Sequence, residues 1–381
     1  MLKPKVAIVH EWFVDHSGSE KVLEQILQVF PEADLFAVVE FLPDHLRDFI
    51  MNKPVRTTFI QKLPFARTKY RNYLPLMPLA IEQLDVSGYD VVVSNSHAVS
   101  KGVITHNNQL HLCYCHSPMR YAWDLYHQYL REAGLTRGIK GFFAKMILHY
   151  LRMWDLSTVN RIDHFIANSA YIAARIKKVY QREAAVIYPP VDVDQFSLYT
   201  QKEDFFVTAS RFVPYKKIDL IVKAFTQMPE QQLYVIGEGP DLKKVQQIAA
   251  GHNNIHLLGF QPHDKLQHYM QRAKAFVFAA DEDFGIIPVE AQACGTPVIA
   301  YRRGGSLETV REGLSGVFFD RQEASAIKSA VEQFLTSASQ FDPHNIRQHA
   351  EQFSISRFRD ELRHFVFEKM NAPTIHEDIT L

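Results

Sequence analysis

The sequence predicts an α/β protein made of two doubly wound lobes, and three observations carry that prediction. Short continuous apolar runs recur along the chain, each followed by a polar or Gly/Pro turn and then a helical pattern. This is the rhythm of parallel strands joined by crossover helices. The rhythm stops at Ile187-Tyr-Pro-Pro-Val-Asp-Val-Asp194, where paired prolines stiffen a linker, and then restarts. The length of 381 residues suits two or three domains at roughly 150 residues each.

In the first half, Val6–Val9 reads as a buried strand that turns polar at His10. Ser17-Gly-Ser-Glu20 then opens an amphipathic helix, with Ser17 and Glu20 at capping-box spacing. Val22, Leu23, Ile26, Leu27 and Phe30 fall at helical spacing, and Pro31 follows the end. Buried strands are expected again at 90–94, 111–115 and 164–167. The second half repeats them at 205–209, 233–236, 255–258, 275–279, 298–300 and 317–319. A last helix, roughly 356–369, follows the second half and is expected to pack back on the first. The expected division is residues 1–187 with the helix 354–370, then 188–353, then a loose tail over 371–381. Lobes of this kind bind ligands at the carboxyl ends of their strands.

Composition narrows the function. Forty-two basic and forty-two acidic residues give no net charge, and 47% of residues are apolar. Intrinsic disorder and a whole-chain polycation for nucleic acid are thereby excluded. Three cysteines (Cys113, Cys115, Cys294) are too few for a disulfide scaffold and suggest a reducing compartment. Neither a secretory signal nor a transmembrane run is expected, since no stretch approaches about 18 apolar residues.

The richest segment is Ala280-Asp-Glu-Asp-Phe-Gly-Ile-Ile-Pro-Val-Glu-Ala-Gln-Ala-Cys-Gly-Thr-Pro297. Pro288 suits the first helical position and Gly295 the position just past the last. The amides of Phe284, Gly285, Ile286 and Ile287 would then sit at a helix N-terminus suited to phosphate. Gly285 lets backbone approach a ligand. Glu290, in the first turn, can hold a hydroxyl pair such as a ribose, and Glu282 sits at the strand end. Directly after another strand, Arg211 and Lys216 stand five apart across a turn, the spacing of a cationic clamp on a diphosphate. Gly18 marks a helix start and His116 a strand end. Taken singly, each has a plain structural reading: a carboxylate favouring a helix dipole, a solvated basic turn, a packed imidazole.

Together these strings resemble those of retaining glycosyltransferases of family 4. Glu282-x7-Glu290, followed by Ala-Gln-Ala-Cys-Gly-Thr-Pro-Val, resembles the family's Glu-x7-Glu signature, and Arg211…Lys216 its donor-phosphate pair. Gly18-Ser-Glu-Lys resembles its glycine-rich first turn, and His116 in Tyr-Cys-His-Ser-Pro its sugar-facing histidine. Three positions depart from the usual glycine: Ser17, Lys217 and Asp283. The resemblance implies the GT-B fold, two Rossmann-like lobes facing a central cleft, with the C-terminal helix crossing back to the first lobe. It implies His116 and Glu282 at the reacting sugar, and Gly18, Arg211, Lys216, Phe284, Gly285 and Ile286 at the donor diphosphate. Glu290 would hold the ribose, with Gly237, Gly259 and Phe260 near the base.

Within the family, Cys-His-Ser-Pro and Tyr-Pro-Pro-Val-Asp are similar to bacterial polysaccharide mannosyltransferases. That narrower likeness implies transfer of mannose from GDP-mannose to a lipid-linked (undecaprenyl diphosphate) glycan, with retained configuration and an α-1,3 linkage, in O-antigen or related synthesis. A UDP-sugar donor, a GT-B sugar-nucleotide epimerase and a non-catalytic nucleotide-sugar sensor are the competing readings. No metal or other cofactor is expected, because in this family Arg, Lys and a helix dipole neutralise the diphosphate. Asp281-Glu-Asp283 and Asp192-Val-Asp194 are therefore not read as ligands for a divalent ion. In His111-x-Cys-x-Cys-His116 the first three residues share one strand face and His116 takes the other, so zinc is not expected either. Gly237-Glu-Gly239 is a weak dinucleotide fingerprint, with Leu242 at the third glycine position.

Two acid-free stretches mark the acceptor side. Residues 53–73 carry Lys53, Arg56, Lys62, Arg67, Lys69 and Arg71 with Phe59, Phe65, Tyr70 and Tyr73 interleaved. Residues 137–152 carry Arg137, Lys140, Lys145 and Arg152 among Phe142, Phe143, Met146, Ile147, Leu148 and Leu151. Basic and aromatic residues together suit an anionic membrane surface, and nucleic acid is not expected. The implied location is cytoplasmic, peripheral on the inner face of a bacterial plasma membrane.

Overall fold

A computed structural model describes residues 4–371; the tail expected over 371–381 lies, apart from Asn371, outside the described residues. The chain divides into two units, the first running to Tyr188 and resuming at Phe358, the second spanning Pro189–Arg357.

The first unit holds a seven-stranded parallel sheet in the order β3-β2-β1-β4-β5-β6-β7. Its strands are β1 Val6–Phe13, β2 Asp34–Glu40, β3 Val55–Thr57, β4 Val91–Ser96, β5 Leu110–Cys115, β6 His164–Ala167 and β7 Ala184–Val186. The expected first strand stops at Val9; the observed β1 runs four residues further, through His10 and Glu11, both fully buried. Polar residues remain in strand there because partners across the sheet satisfy them. β5 alternates as its period requires, with Leu112 and Tyr114 in one apolar cluster and Cys113 and Cys115 in another. The helix Gly18–Val29 begins where the capping box places it, with the Ser17 amide donating to the Glu20 carboxylate at 3.3 Å. Val22, Leu23, Ile26 and Leu27 form its buried face.

The C-terminal helix, Ile355–Asn371, leaves the second unit and buries Phe358, Leu362 and Val366 in the same cluster as Ile8, Leu23 and Leu112. Arg359 Nε donates to Gln25 at 2.8 Å, tying this helix to Gly18–Val29.

The second unit holds a six-stranded parallel sheet in the order β10-β9-β8-β11-β12-β13. Its strands are β8 Phe205–Ala209, β9 Gln232–Ile236, β10 Ile255–Gly259, β11 Ala275–Phe278, β12 Val298–Tyr301 and β13 Gly316–Phe319. In each sheet the strand order reverses once about the first strand, between β1 and β4 and between β8 and β11. A crevice opens at the carboxyl ends at such a point.

Candidate active site

The site residues expected of the second half lie at the second sheet's carboxyl edge, on the loops that leave it, at the end of β10 and on the helix Ile286–Ala293. After β8, Ser210-Arg-Phe-Val leads into a short turn, Pro214–Lys216. After β11, Ala280–Gly285 leads into the helix Ile286–Ala293. β8 and β11 are hydrogen-bonded neighbours, so the two loops flank the reversal point. There the Lys216 ammonium pairs directly with the Glu282 carboxylate, both only 17% exposed. Arg211 is exposed. Charged groups gathered at a strand-end crevice have few roles in packing and suit a polar, charged ligand.

The Glu282 loop is shaped by its neighbour after β12. Gly305 donates its amide to the Glu282 carbonyl at 2.8 Å. A Cβ on Gly304 or Gly305 would collide with the Glu282 or Phe284 backbone. Arg303 reaches Asp281 at 3.1 Å. At the helix start Gly285 has φ of 88°, a conformation other residues rarely hold. The helix begins at Ile286 rather than at Pro288, so the proline is its third residue. Glu290 is then its fifth, one turn later than the first-turn position expected. The free amides of Gly285, Ile286 and Ile287 still head the helix, because Pro288 has none to offer. Gly295 ends it with φ of 73° and its amide on the Gln292 carbonyl at 2.8 Å.

Two further turns, after β9 and β10, meet the turn after β8 at this edge. Phe212 donates to the Glu238 carbonyl at 2.7 Å, and Gly237 donates to the Gly259 carbonyl at 2.8 Å. A Cβ on Gly237 or Gly239 would strike the Ser210 or Phe212 carbonyl. These glycines therefore serve close packing of backbone. Phe260, next to Gly259, stands 73% exposed.

In the first unit, Gly18 and His116 sit at the carboxyl edge beside the reversal point between β1 and β4. Gly18 is exposed, and a Cβ there meets no atom within 4 Å. His116 Nε2 lies 2.7 Å from Asn95 Oδ1. Asn95 Nδ2 donates to the Ser19 carbonyl at 3.0 Å and faces His10 Nδ1 at 3.1 Å. His10 Nε2 reaches Glu20 at 3.1 Å. Burial, with the neighbouring His97 and His10, pulls the His116 pKa down to about 3, so this imidazole is neutral at ordinary pH.

Beside this row, the buried Glu11 carboxylate accepts from the amides of His97, Ala98, Val99 and Ser100 at 2.7–3.1 Å. Burial alone would raise its pKa, but the His97 imidazole and these amides outweigh it and leave the pKa lowered. Glu11 thereby clamps the turn after β4 that carries His97, just beyond Asn95 at the end of the strand.

Comparison with known proteins follows the same division. Residues 16–195 match the family model described as Glycosyltransferase Family 4, and residues 192–353 match that of Glycosyl transferases group 1. The chain belongs to glycosyltransferase family 4. It is 31% identical over 237 residues to a D-inositol 3-phosphate glycosyltransferase of Geodermatophilus obscurus, covering 54% of this chain and 52% of the relative. It is 30% identical over 199 residues to a GDP-mannose-dependent alpha-(1-6)-phosphatidylinositol monomannoside mannosyltransferase of Mycolicibacterium smegmatis, covering 44% and 51%. The chain spans about half the length of the curated relatives it matches. Anabaena HepE in complex with UDP has the same fold, with a TM-score of 0.69 over 96% of this chain and 100% of that one, at 17% identity.

Within this family 4 chain, sequence reasoning missed the residues that hold the recognised ones in place. Gly304 and Gly305 carry a signal, a glycine pair separated by two residues from the end of a strand. His10, Glu11 and Asn95 carry one only in hindsight, as polar residues at the ends of apolar runs. Among the described residues no group of three or more His, Cys, Asp or Glu side chains could hold a metal ion. His111 instead donates from Nδ1 to the Arg161 carbonyl at 2.8 Å and accepts from Ser94 at 2.9 Å.

Proposed function

We propose that this chain transfers mannose from GDP-mannose to a hydroxyl of a lipid-linked glycan, with retained anomeric configuration and an α-1,3 linkage. The observation that carries the reading is the Lys216–Glu282 pair at the strand-order reversal, beside the helix headed by Gly285. Lys216, Arg211 and the amides of Phe284, Gly285 and Ile286 stabilise the departing diphosphate, where negative charge accumulates. Glu282 orients the donor sugar, Glu290 holds the ribose, and the turns at Gly237, Gly259 and Phe260 border the base. His116 supports the face of the reacting sugar, and Gly18 leaves room for ligand at a helix start. The bond from the anomeric carbon to the phosphate oxygen breaks, and the bond to the acceptor oxygen forms on the same face. The acceptor proton passes to the leaving phosphate.

The acceptor's lipid suits the helix Gly138–Ser157. Ile139, Phe142, Phe143, Met146, Tyr150 and Met153 are 41–78% exposed at helical spacing, and Lys140 and Lys145 are exposed beside them. Leu148 and Leu151, read from sequence as part of this surface, instead face the core. In the other stretch Tyr70 is buried, and of the four aromatic residues only Phe65, at 73% exposure, stands out. Among the described residues no helix is long and apolar enough to cross a membrane. Peripheral attachment to an anionic inner leaflet fits this helix, with undecaprenyl diphosphate as the lipid carrier.

The deciding assay is a panel of GDP- and UDP-sugars against a lipid-linked acceptor analogue, with linkage analysis of the product and EDTA in a parallel series. Mannose transfer from GDP-mannose, undiminished by EDTA, is the expected result. Transfer from a UDP-sugar alone would replace the donor, and turnover without acceptor would replace transfer by epimerisation.

A further inference from the structure

The imidazole of His116 meets one fixed partner, and that partner has no rotational freedom. Asn95 is fully buried. Its Nδ2 donates to the Ser19 carbonyl, which accepts only, so the amide cannot be flipped and Oδ1 must face His116. An amide oxygen only accepts. The proton between them therefore belongs to His116 Nε2, and in the neutral ring Nδ1 carries the lone pair.

The other side of Asn95 does not alter this. With His10 neutral, its Nδ1 accepts from Asn95 Nδ2 and its Nε2–H donates to Glu20. With His10 protonated, its Nδ1–H turns to the Asn95 backbone carbonyl, 3.3 Å away, and Oδ1 still faces His116. Glu20 also accepts from the hydroxyls of Ser17 and Ser19, each at 2.9 Å, so the row starts at the cap of the helix headed by Gly18. The titratable groups around His116 are His97 after β4, His10 and Glu11 on β1, Glu20 on that helix, and Tyr114 on β5.

We infer that Asn95 is a positioning residue that locks His116 as the Nε2–H tautomer, so that Nδ1 accepts a hydrogen bond from a donor-sugar hydroxyl and the ring donates no proton to the sugar. The role of Nδ1 rests on the proposed function; the tautomer does not. A sugar hydroxyl held by an acceptor keeps its oxygen lone pairs directed elsewhere, and a ring of the opposite tautomer would oppose the same pose. The row also couples two recognised features, the Gly18 helix start and His116, through one buried amide.

The test is long-range proton–nitrogen NMR on the full chain labelled with nitrogen-15 at histidine, with His116→Ala for assignment. His116 is expected as the Nε2–H tautomer at pH 7.5. Asn95→Ala should leave it a mixture and lower kcat about tenfold to a hundredfold, with KM for the donor little changed. Asn95→Leu, close in size and without an acceptor, should give the same mixture, which decides the matter if Asn95→Ala does not fold. A native Nδ1–H tautomer, or an Nε2–H tautomer unaltered in Asn95→Ala, would overturn the inference. A locked tautomer in a chain that turns over no sugar nucleotide would overturn the proposed function, and with it the role of Nδ1, and leave the assignment of Asn95 as the residue that sets the tautomer standing.

Discussion

At Lys216 and Glu282, each side chain is the other's counterion, and a substrate phosphate must compete for the ammonium. Replacing either should therefore act mainly on transfer. Lys216→Ala and Glu282→Gln are each expected to lower kcat about a hundredfold or more, as removal of one preorganised charge does elsewhere. The unfolding free energy should move by about 1–3 kcal/mol, because each side chain is only 17% exposed and losing one leaves the other without its counterion. Steady-state kinetics beside a urea titration separates the two. His111 behaves in the opposite way, with no catalytic part and a large share of pH-dependent stability. Burial holds its pKa down to about 4 from an ordinary 6.5. Above pH 6.5 the ring is neutral in both folded and unfolded chains and contributes no slope. Between 6.5 and 4 only the unfolded chain takes up the proton, so stability falls as pH falls, by about 2 kcal/mol at pH 5. A lower urea midpoint at pH 5 than at pH 7.5, with a shallower difference in His111→Gln, is the expected result.

Among the elements, the helix Gly138–Ser157 faces two environments. Its inner face meets the core through Leu148, Leu151 and Trp154, and the Trp154 ring lies where a Cβ on Gly102 would be. Gly102→Ala should therefore destabilise by about 1–3 kcal/mol, by overpacking, which a denaturant midpoint will show. Its outer face predicts the reverse. Phe142→Ser with Phe143→Ser should leave stability nearly unchanged and lower binding to anionic vesicles at least tenfold, since each ring withdrawn from water contributes about 1.5–3 kcal/mol. Co-sedimentation at low and high salt is the measurement.

The elements also explain what the sequence alone could disclose. Central strands such as β5, β6 and β8 were legible because both faces are covered and the runs are uninterrupted. β3 and β7 were not: each is a three-residue strand at the sheet's edge, with no fully buried position. The apolar run of β2 follows the same rule as the central strands, but only four residues separate it from the helix and it was not singled out. Lys216, Glu282, Gly285 and Glu290 were legible because each motif is one contiguous turn. The row from Glu20 to His116 was not. It depends on a parallel register that sets His10 beside Asn95, and Asn95 beside Tyr114, across gaps no local pattern spans.

For the whole molecule, net neutrality is the sum of two unlike halves. Residues 1–190 hold 22 basic and 17 acidic side chains, and residues 191–381 hold 20 and 25. The basic half is the one with the exposed apolar helix, the polarity that an anionic surface would read. The two units also differ in continuity, since the second is one stretch of chain and the first is two. A fragment of residues 1–188 lacks Phe358, Leu362 and Val366, all fully buried in its core. At about 1.5–3 kcal/mol each these approach the whole stability of a typical domain, about 5–15 kcal/mol. The fragment should unfold at markedly lower urea than its share of the intact chain, and a peptide of residues 355–371 should restore the midpoint.

That same helix sets an order of events during synthesis. A ribosome adds about 5–20 residues per second, and domains ordinarily fold from the amino end forward. Here the core that begins at residue 6 is closed by side chains from 358 to 366. The second unit is complete before the last piece of the first has emerged. The amino-terminal sheet therefore waits with an apolar groove open while some 170 residues are made, roughly 10–30 s at that rate. The half that starts first finishes last, and during that interval its open apolar groove is the surface exposed to aggregation.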